Sequence, residues 1–192
     1  MTFETLISIC LGIGLSASVG FRVFLPLFAL SLASYFGVWH LNDSWQWLGS
    51  ITALIILGVA TIVEIFAYYI PYLDNLLDTI SIPLAAFAGT VAMMSTVVDL
   101  SPEVTWALAI IAGAGTASAV SGSAGAVRLA STATTGGLAN PVVTTVETGT
   151  AVTMSLASIF SPILAIVLVL IILFVLFKGF KKIKYNKTQK LQ

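Results

Sequence analysis

Long apolar runs separated by short polar segments make up most of this chain. A membrane-spanning helix needs about 20 mostly apolar residues to cross ~30 Å of hydrocarbon. By that measure the candidate spans are Leu6–Phe36, Trp47–Ile70, Ile82–Val98, Val104–Val120, Val142–Phe160 and Pro162–Phe177. The runs are continuously apolar rather than alternating, which favours helices over a barrel. The pattern therefore predicts an all-α, polytopic transmembrane bundle with about six spans.

Two regions of the chain are rich in glycine, and each carries one arginine in its middle. Leu6–Phe36 is too long for one crossing, and residues 113–141 consist largely of Gly, Ala, Ser and Thr. Small residues allow helices to pack closely. The alternative is a broken or re-entrant helix that lines a cavity. In the second region, such a helix would be interrupted near Gly122 or Gly125. The glycines that either role would use are Gly12, Gly14, Gly20, Gly113, Gly115, Gly122 and Gly125.

The two halves of the chain share a short motif. Gly12-Ile-Gly14 is matched by Gly113-Ala-Gly115, and a lone arginine follows each motif. The match suggests two repeats, at residues 3–100 and 103–179. With three spans in each half the second repeat would be inverted, as in many transporters. The alternative is a chance match in Gly-rich apolar sequence.

Composition narrows the class of protein. Of the 192 residues, 58% are hydrophobic and 8% charged, and the mean hydropathy is +1.06. A soluble domain has about 25% charged residues, so a soluble enzyme, a nucleic-acid-binding protein and a disordered chain are excluded. We interpret residues 1–180 as a single transmembrane domain. The lipid bilayer is the expected partner, and we expect a homo-oligomer.

A basic tail at residues 181–192 follows the last apolar run. Lysines cluster from Lys178 to Lys190, and the positive-inside rule places such a cluster in the cytoplasm. Six spans then place both termini on the cytoplasmic side of the inner (plasma) membrane. The tail either anchors this topology or, alternatively, binds anionic lipid.

Arg22 and Arg128 lie inside apolar stretches and need partners. An arginine at the centre of a span costs about 2.5–3.5 kcal/mol on insertion scales. The candidate partners are Glu64, Asp74, Asp78 and Glu147. These groups form either structural salt bridges or a pathway for a substrate or an ion, and the sequence leaves both open.

Two polar segments position three of the acids. Residues 71–82 predict a short amphipathic helix with Asp74 and Asp78 on one face, which lies on the inner surface or re-enters the membrane. Asn140, followed by a proline, predicts the N-cap of another helix, with Glu147 about two turns further on. We therefore include Asn140 in the candidate pathway.

Catalytic and metal-binding patterns are not recognisable in the sequence. It has one histidine and one cysteine, and it contains neither an HExxH motif nor a phosphate-binding Gly-Lys-Ser loop. We therefore expect no enzymatic activity, no catalytic residue, no cofactor, no metal site and no nucleic-acid partner.

Three segments together resemble a known family. They are residues 20–26 (GFRVFLP), 71–78 (PYLDNLLD) and 140–147 (NPVVTTVE). As a set they are similar to small bacterial integral-membrane proteins classed as a domain of unknown function, and the resemblance extends from about Phe3 to Phe177. In that family a second acid often follows the position of Glu147, where this chain has Thr148. The resemblance implies a membrane architecture and no defined activity.

The leading hypothesis is a small transporter or channel with its polar centre at Arg22, Arg128 and Glu147. Two arginines from broken helices favour an anionic solute, since helix N-termini and guanidinium groups both bind negative charge. Neutralisation by Glu64 and Glu147 would weaken that argument. The alternatives are a non-transporting membrane scaffold or accessory subunit, in which all charges are paired, and a lipid-handling protein.

Overall fold

The computed structural model describes residues 2–189, without the side chains at positions 71, 72, 75, 176, 177 and 179–189. Within that range the chain is helical and contains no strand, which confirms the predicted all-α class. The helices are α1 (Phe3–Val19), α2 (Phe24–Tyr35), α3 (Ile51–Ala67), α4 (Pro71–Thr96), α5 (Pro102–Leu108), α6 (Gly115–Thr135), α7 (Asn140–Phe160) and α8 (Pro162–Gln189). A 3-10 helix (Asp43–Gly49) precedes α3, and a π-helical segment (Ala109–Ala114) joins α5 to α6.

Several of these helices are long and apolar enough to cross a membrane. Three stretches meet that condition among the described residues: Leu76–Thr96, Pro102–Thr135 and Asn140–Phe160. A fourth is added if the 3-10 helix and α3, which are bent by 64° relative to each other, count as one span. The chain is thus a membrane protein, but the expected number of about six spans is not confirmed.

The first apolar region forms a helical hairpin. The N–H of Val98 lies 3.4 Å from Ser8 Oγ of α1, and the N–H of Asn42, beyond α2, donates to Ser95 O at 2.9 Å. Both ends of the α1–α2 pair therefore lie at the C-terminal end of α4. The tip of this hairpin, residues 20–23, lies inside the bundle, so the predicted broken helix is present here.

Helix α1 lies at the centre of the bundle and contacts α4, α6, α7 and α8. Its serines bind neighbouring backbones directly: Ser16 Oγ donates to Gly89 O of α4 at 3.0 Å, and Ser18 Oγ donates to Ala151 O of α7 at 2.7 Å. Such bonds, together with small side chains, replace the hydrophobic driving force that is missing between helices in lipid.

The two glycine motifs run side by side in the same direction. Gly12 of α1 and Gly113 of the π-helical segment both lie against Met93 of α4. The arginines that follow them, Arg22 and Arg128, both reach the same aromatic ring further along the bundle. An inverted repeat would place the motifs antiparallel, so the inverted repeat expected from the sequence is not confirmed.

Residues 71–82 are the first half of α4 rather than a separate helix. α4 continues through Pro83, and Asp74 is only 1% exposed. The expectation of a separate short helix is therefore wrong, whereas the helical segment and the shared face of Asp74 and Asp78 are confirmed. That acidic face contacts Arg128 of α6.

Helix α6 is continuous, so the chain is not opened at Gly122 or Gly125. The turn comes later, at Gly136 and Gly137, whose φ values of 64° and 89° lie in the left-handed region that glycine adopts most easily. Residues 113–141 thus form a close-packed helix followed by a tight turn, which is the first of the two alternatives for that region.

The predicted glycines divide into crowded and open positions. A Cβ on Gly113 would lie 2.6 Å from the backbone oxygen of Gly89, a glycine that the sequence analysis did not single out. The crowded positions are Gly12, Gly14, Gly20 and Gly113, and the open or ordinary ones are Gly115, Gly122 and Gly125. Close packing therefore explains the first group and not the second.

Gly113→Ala should destabilise the bundle, because the added methyl group meets backbone that cannot rotate away. Overpacking of this kind costs about 1–3 kcal/mol. Gly115→Ala, two residues away with no atom within 4 Å of its Cβ position, is the matched control and should leave stability unchanged or raise it by up to ~1 kcal/mol. Thermal unfolding in detergent, followed by circular dichroism, measures the difference; equal midpoints for the two variants would contradict the packing argument.

The hairpin also predicts a labelling pattern. In a Cys10→Ser background, cysteines at Glu4 and Ser44 should react with an impermeant maleimide from one side of the membrane. A cysteine at Leu138, which is 87% exposed, should react from the other side. If residues 6–36 instead crossed the membrane, Glu4→Cys would be labelled together with Leu138→Cys and opposite to Ser44→Cys.

Candidate functional site

A buried ion-pair cluster joins α4, α6, α7 and the tip of the α1–α2 hairpin. Arg128 Nε donates to Glu147 Oε1 at 3.1 Å, and Nη2 donates to Oε2 of the same carboxylate. Arg22 Nη1 lies 3.4 Å from that Oε2. Glu147 is therefore shared by both arginines, and all three residues are buried.

The two aspartates of α4 complete the cluster around Arg128. Arg128 Nη1 lies 2.5 Å from Asp78 Oδ1 and 3.2 Å from Asp74 Oδ1. The aspartates are four residues apart, so helix geometry places them on the same face of α4. We call this group the polar centre; its members are Arg22, Asp74, Asp78, Arg128 and Glu147.

Arg22 is held by several further acceptors. Its Nε donates to Thr148 Oγ1 at 3.0 Å, and its Nη2 donates to Thr144 O at 3.1 Å. Its Nη1 donates to Phe21 O at 3.1 Å. Thr148, the residue directly after Glu147, thus supplies a neutral hydroxyl as one of the acceptors of the Arg22 guanidinium.

An aromatic ring lies against both arginines. The Cζ atoms of Arg22 and Arg128 are each 4.1 Å from the ring centroid of Tyr68, which follows α3. A desolvated cation–π contact is worth about 2 kcal/mol or more. The sequence analysis missed Tyr68, because a tyrosine at the end of an apolar run is typical of the membrane interface.

Glu64 lies apart from the ion pairs and binds backbone instead. The N–H groups of Val23 and Phe24 donate to its two carboxylate oxygens at 2.6 and 3.0 Å. These are among the unpaired donors at the start of α2, and a negative charge is favourable at a helix N-terminus. Glu64 thus fixes the hairpin tip, a role different from the expected neutralisation of an arginine.

Asn140 belongs to the cluster but does not cap α7. The cap residue of α7 is Ala139, which makes no side-chain bond to the helix. Asn140 Nδ2 donates to Asp74 Oδ2 and to Thr132 Oγ1, both at 3.1 Å. The tight α6–α7 turn brings this side chain inside the bundle, and its Oδ1 is a buried acceptor with no hydrogen-bond partner among the described residues.

Among the described residues, the polar centre is most exposed at Asp78. The Asp78 side chain is 20% exposed, against 2% for Asp74 and 6% for Glu147. It lines a small cavity with Tyr68 and Ser81, whose free volume of about 10 Å³ is close to the 10–15 Å³ that one water molecule requires. Among the described residues, no group of three or more His, Cys, Asp and Glu side chains has the geometry of a metal site.

Glu147→Gln should destabilise the protein strongly, because two buried arginines lose the charge they share. Breaking a buried ion pair from one side costs about 3–5 kcal/mol. Glu103→Gln, the same change at an exposed position outside the cluster, is the control and should have little effect. Detergent thermal melts would measure both, and a similar midpoint for the two variants would show that the shared carboxylate contributes little.

Comparison with known proteins identifies a family but no activity. A family described as a domain of unknown function, DUF4126, matches residues 9–182. That range contains every residue of the polar centre and the hairpin tip. The search of curated proteins and the search of solved structures each found no match. The chain therefore belongs to the DUF4126 family, in agreement with the resemblance seen in its sequence.

Proposed function

We propose that this protein is a small membrane transporter that moves protons through the polar centre. The observation that carries the proposal is the charge balance there. Three carboxylates pair with two guanidinium groups in a buried cluster. One negative charge is left over, and a bound proton would neutralise it. Ionisable residues inside membranes are costly, and such chains of acids are typical of proton pathways.

Asp78 is the group best placed to exchange the proton. It is the most exposed carboxylate of the polar centre, and the small cavity beside it has room for about one water molecule. The unpartnered Oδ1 of Asn140 offers a second acceptor in the same cluster. A proton therefore has an entry point and a neighbouring acceptor, both supplied by this chain.

An anionic solute, which the two arginines suggest, has weaker support. Both guanidinium groups already donate to carboxylates, backbone oxygens or a hydroxyl. A guanidinium that binds an anion bidentately needs free, parallel donors. The net charge of the cluster would also repel an anion.

The hairpin supports a transport role independently of charge. Discontinuous helices whose ends meet near the middle of a bundle are typical of secondary transporters. Here the break between α1 and α2 lies at Arg22, directly against the polar centre. The N-terminal end of α2 is fixed by Glu64 from a third helix.

A scaffold or accessory subunit is the second candidate function. It is favoured by the unbroken α6 and by the closed, fully paired arginines, which build a rigid helix interface. The inner-membrane location, the cytoplasmic tail and the homo-oligomer remain predictions. In the basic tail, Lys190 and the side chains between residues 179 and 189 lie outside the described residues, so binding of anionic lipid there is also a prediction.

Proton flux in proteoliposomes tests the proposal. Wild-type protein, reconstituted with a trapped pH-sensitive dye, should dissipate an imposed pH gradient faster than empty liposomes when valinomycin clamps the voltage. Asp78→Asn keeps the shape and the hydrogen-bonding oxygen but cannot carry the proton, so flux should fall to the leak of empty liposomes. Asp99→Asn, an exposed aspartate after α4, should keep the wild-type rate.

The outcome separates the two candidates. Equal decay for wild-type and empty liposomes, with folded protein verified by its melting midpoint, would contradict proton transport and favour the scaffold. Equal loss of flux in both aspartate variants would place the pathway outside the polar centre.

A further inference from the structure

A lateral groove separates α3 from the first half of α4 and from the hairpin tip. Its free volume is about 490 Å³, within the range of small-molecule sites. Aliphatic side chains form most of the wall, among them Val59, Ala60, Val63 and Leu84. We call this feature the lateral groove.

The few polar groups of the lateral groove are already occupied. Glu64 accepts the two backbone N–H groups of the hairpin tip. Ser81 Oγ donates to Asp78 O at 3.0 Å, and the ring of Tyr68 lies against both arginines. An occupant of this groove therefore needs apolar surface and no hydrogen-bonding group.

The lateral groove extends along most of α3. It follows the helix from Ile55 to Tyr68, which at 1.5 Å per residue is about 20 Å. That length is about two thirds of the ~30 Å hydrocarbon thickness and more than one leaflet contributes. The rim consists of exposed aliphatic side chains, including Ile56 and Val63 at 61% and 60%, so in a membrane protein this opening faces lipid tails.

We propose that the lateral groove binds one acyl chain of a membrane lipid. The acyl chain lies along α3 between Ile55 and Tyr68 and contacts Tyr68 at one end of the groove. Val23, Tyr68 and Ser81 line both the lateral groove and the small cavity beside Asp78. The bound acyl chain therefore closes the polar centre on its lipid-facing side. This inference does not depend on proton transport and holds equally for a scaffold.

Photo-crosslinking in nanodiscs tests whether the lateral groove binds an acyl chain. The probe is a phosphatidylcholine with a diazirine in one acyl chain, and peptide mass spectrometry maps the labelled residues. Label in the wild-type protein should concentrate on Val59, Ala60 and Val63. Ile62, which is 57% exposed on the same helix but does not line the groove, should receive much less.

A pair of variants sharpens the test. Ala60→Phe fills the lateral groove and should reduce the groove label about tenfold, which corresponds to about 1.4 kcal/mol. Ile62→Phe adds the same ring on the outer face and should leave the groove label unchanged. If Ala60→Phe fails to fold, the wild-type map decides alone.

Two results would overturn the inference. Label spread evenly over the exposed faces of α3, and unaffected by Ala60→Phe, would mean that lipid contacts the helix without a site. Absence of groove label together with crosslinks between two copies of α3, made with a bifunctional reagent, would mean that a second copy of the chain fills the lateral groove.

Discussion

One carboxylate, that of Glu147, is shared by two arginines that arrive from distant parts of the chain. An unpaired charge at membrane depth is expensive, and a buried pair broken from one side is worse than no pair. The hairpin tip, α6 and α7 must therefore meet at this carboxylate, and the α4 aspartates join them through Arg128. Glu64 has a similar role for the backbone. It accepts hydrogen bonds from the N–H groups of Val23 and Phe24, which lipid would leave unpaired.

The ionisable residues of the polar centre could be predicted because charges are rare in this sequence and have few possible partners. The arrangement of these residues could not be predicted, because hydropathy gives the length of an apolar run but not whether the chain crosses the membrane or turns back. Leu6–Phe36 thus looked like a single overlong span, although it turns back at residues 20–23. In α6, Ser123 Oγ donates to Ala119 O of the preceding turn, a local bond available to hydroxyl side chains in a continuous helix.

Tyr68 is where two kinds of environment meet. Its ring lies against two guanidinium groups, and the same residue lines the lateral groove together with aliphatic side chains. Aromatic rings suit such boundaries because their faces attract cations while their edges and bulk pack with apolar groups. A sequence pattern cannot assign this role, since the ring's neighbours come from the hairpin tip, α4 and α6.

The hairpin has a consequence for how the protein enters the membrane. Arg22 is synthesised before two of its acceptors, on Thr144 and Thr148, which follow 122 and 126 residues later. Neither α1 nor α2 is long enough to cross the bilayer alone. The hairpin, although synthesised before α7, therefore reaches its final position only after α7. It stays at the membrane surface or beside the insertion machinery until α7 is inserted and its acceptors bind Arg22.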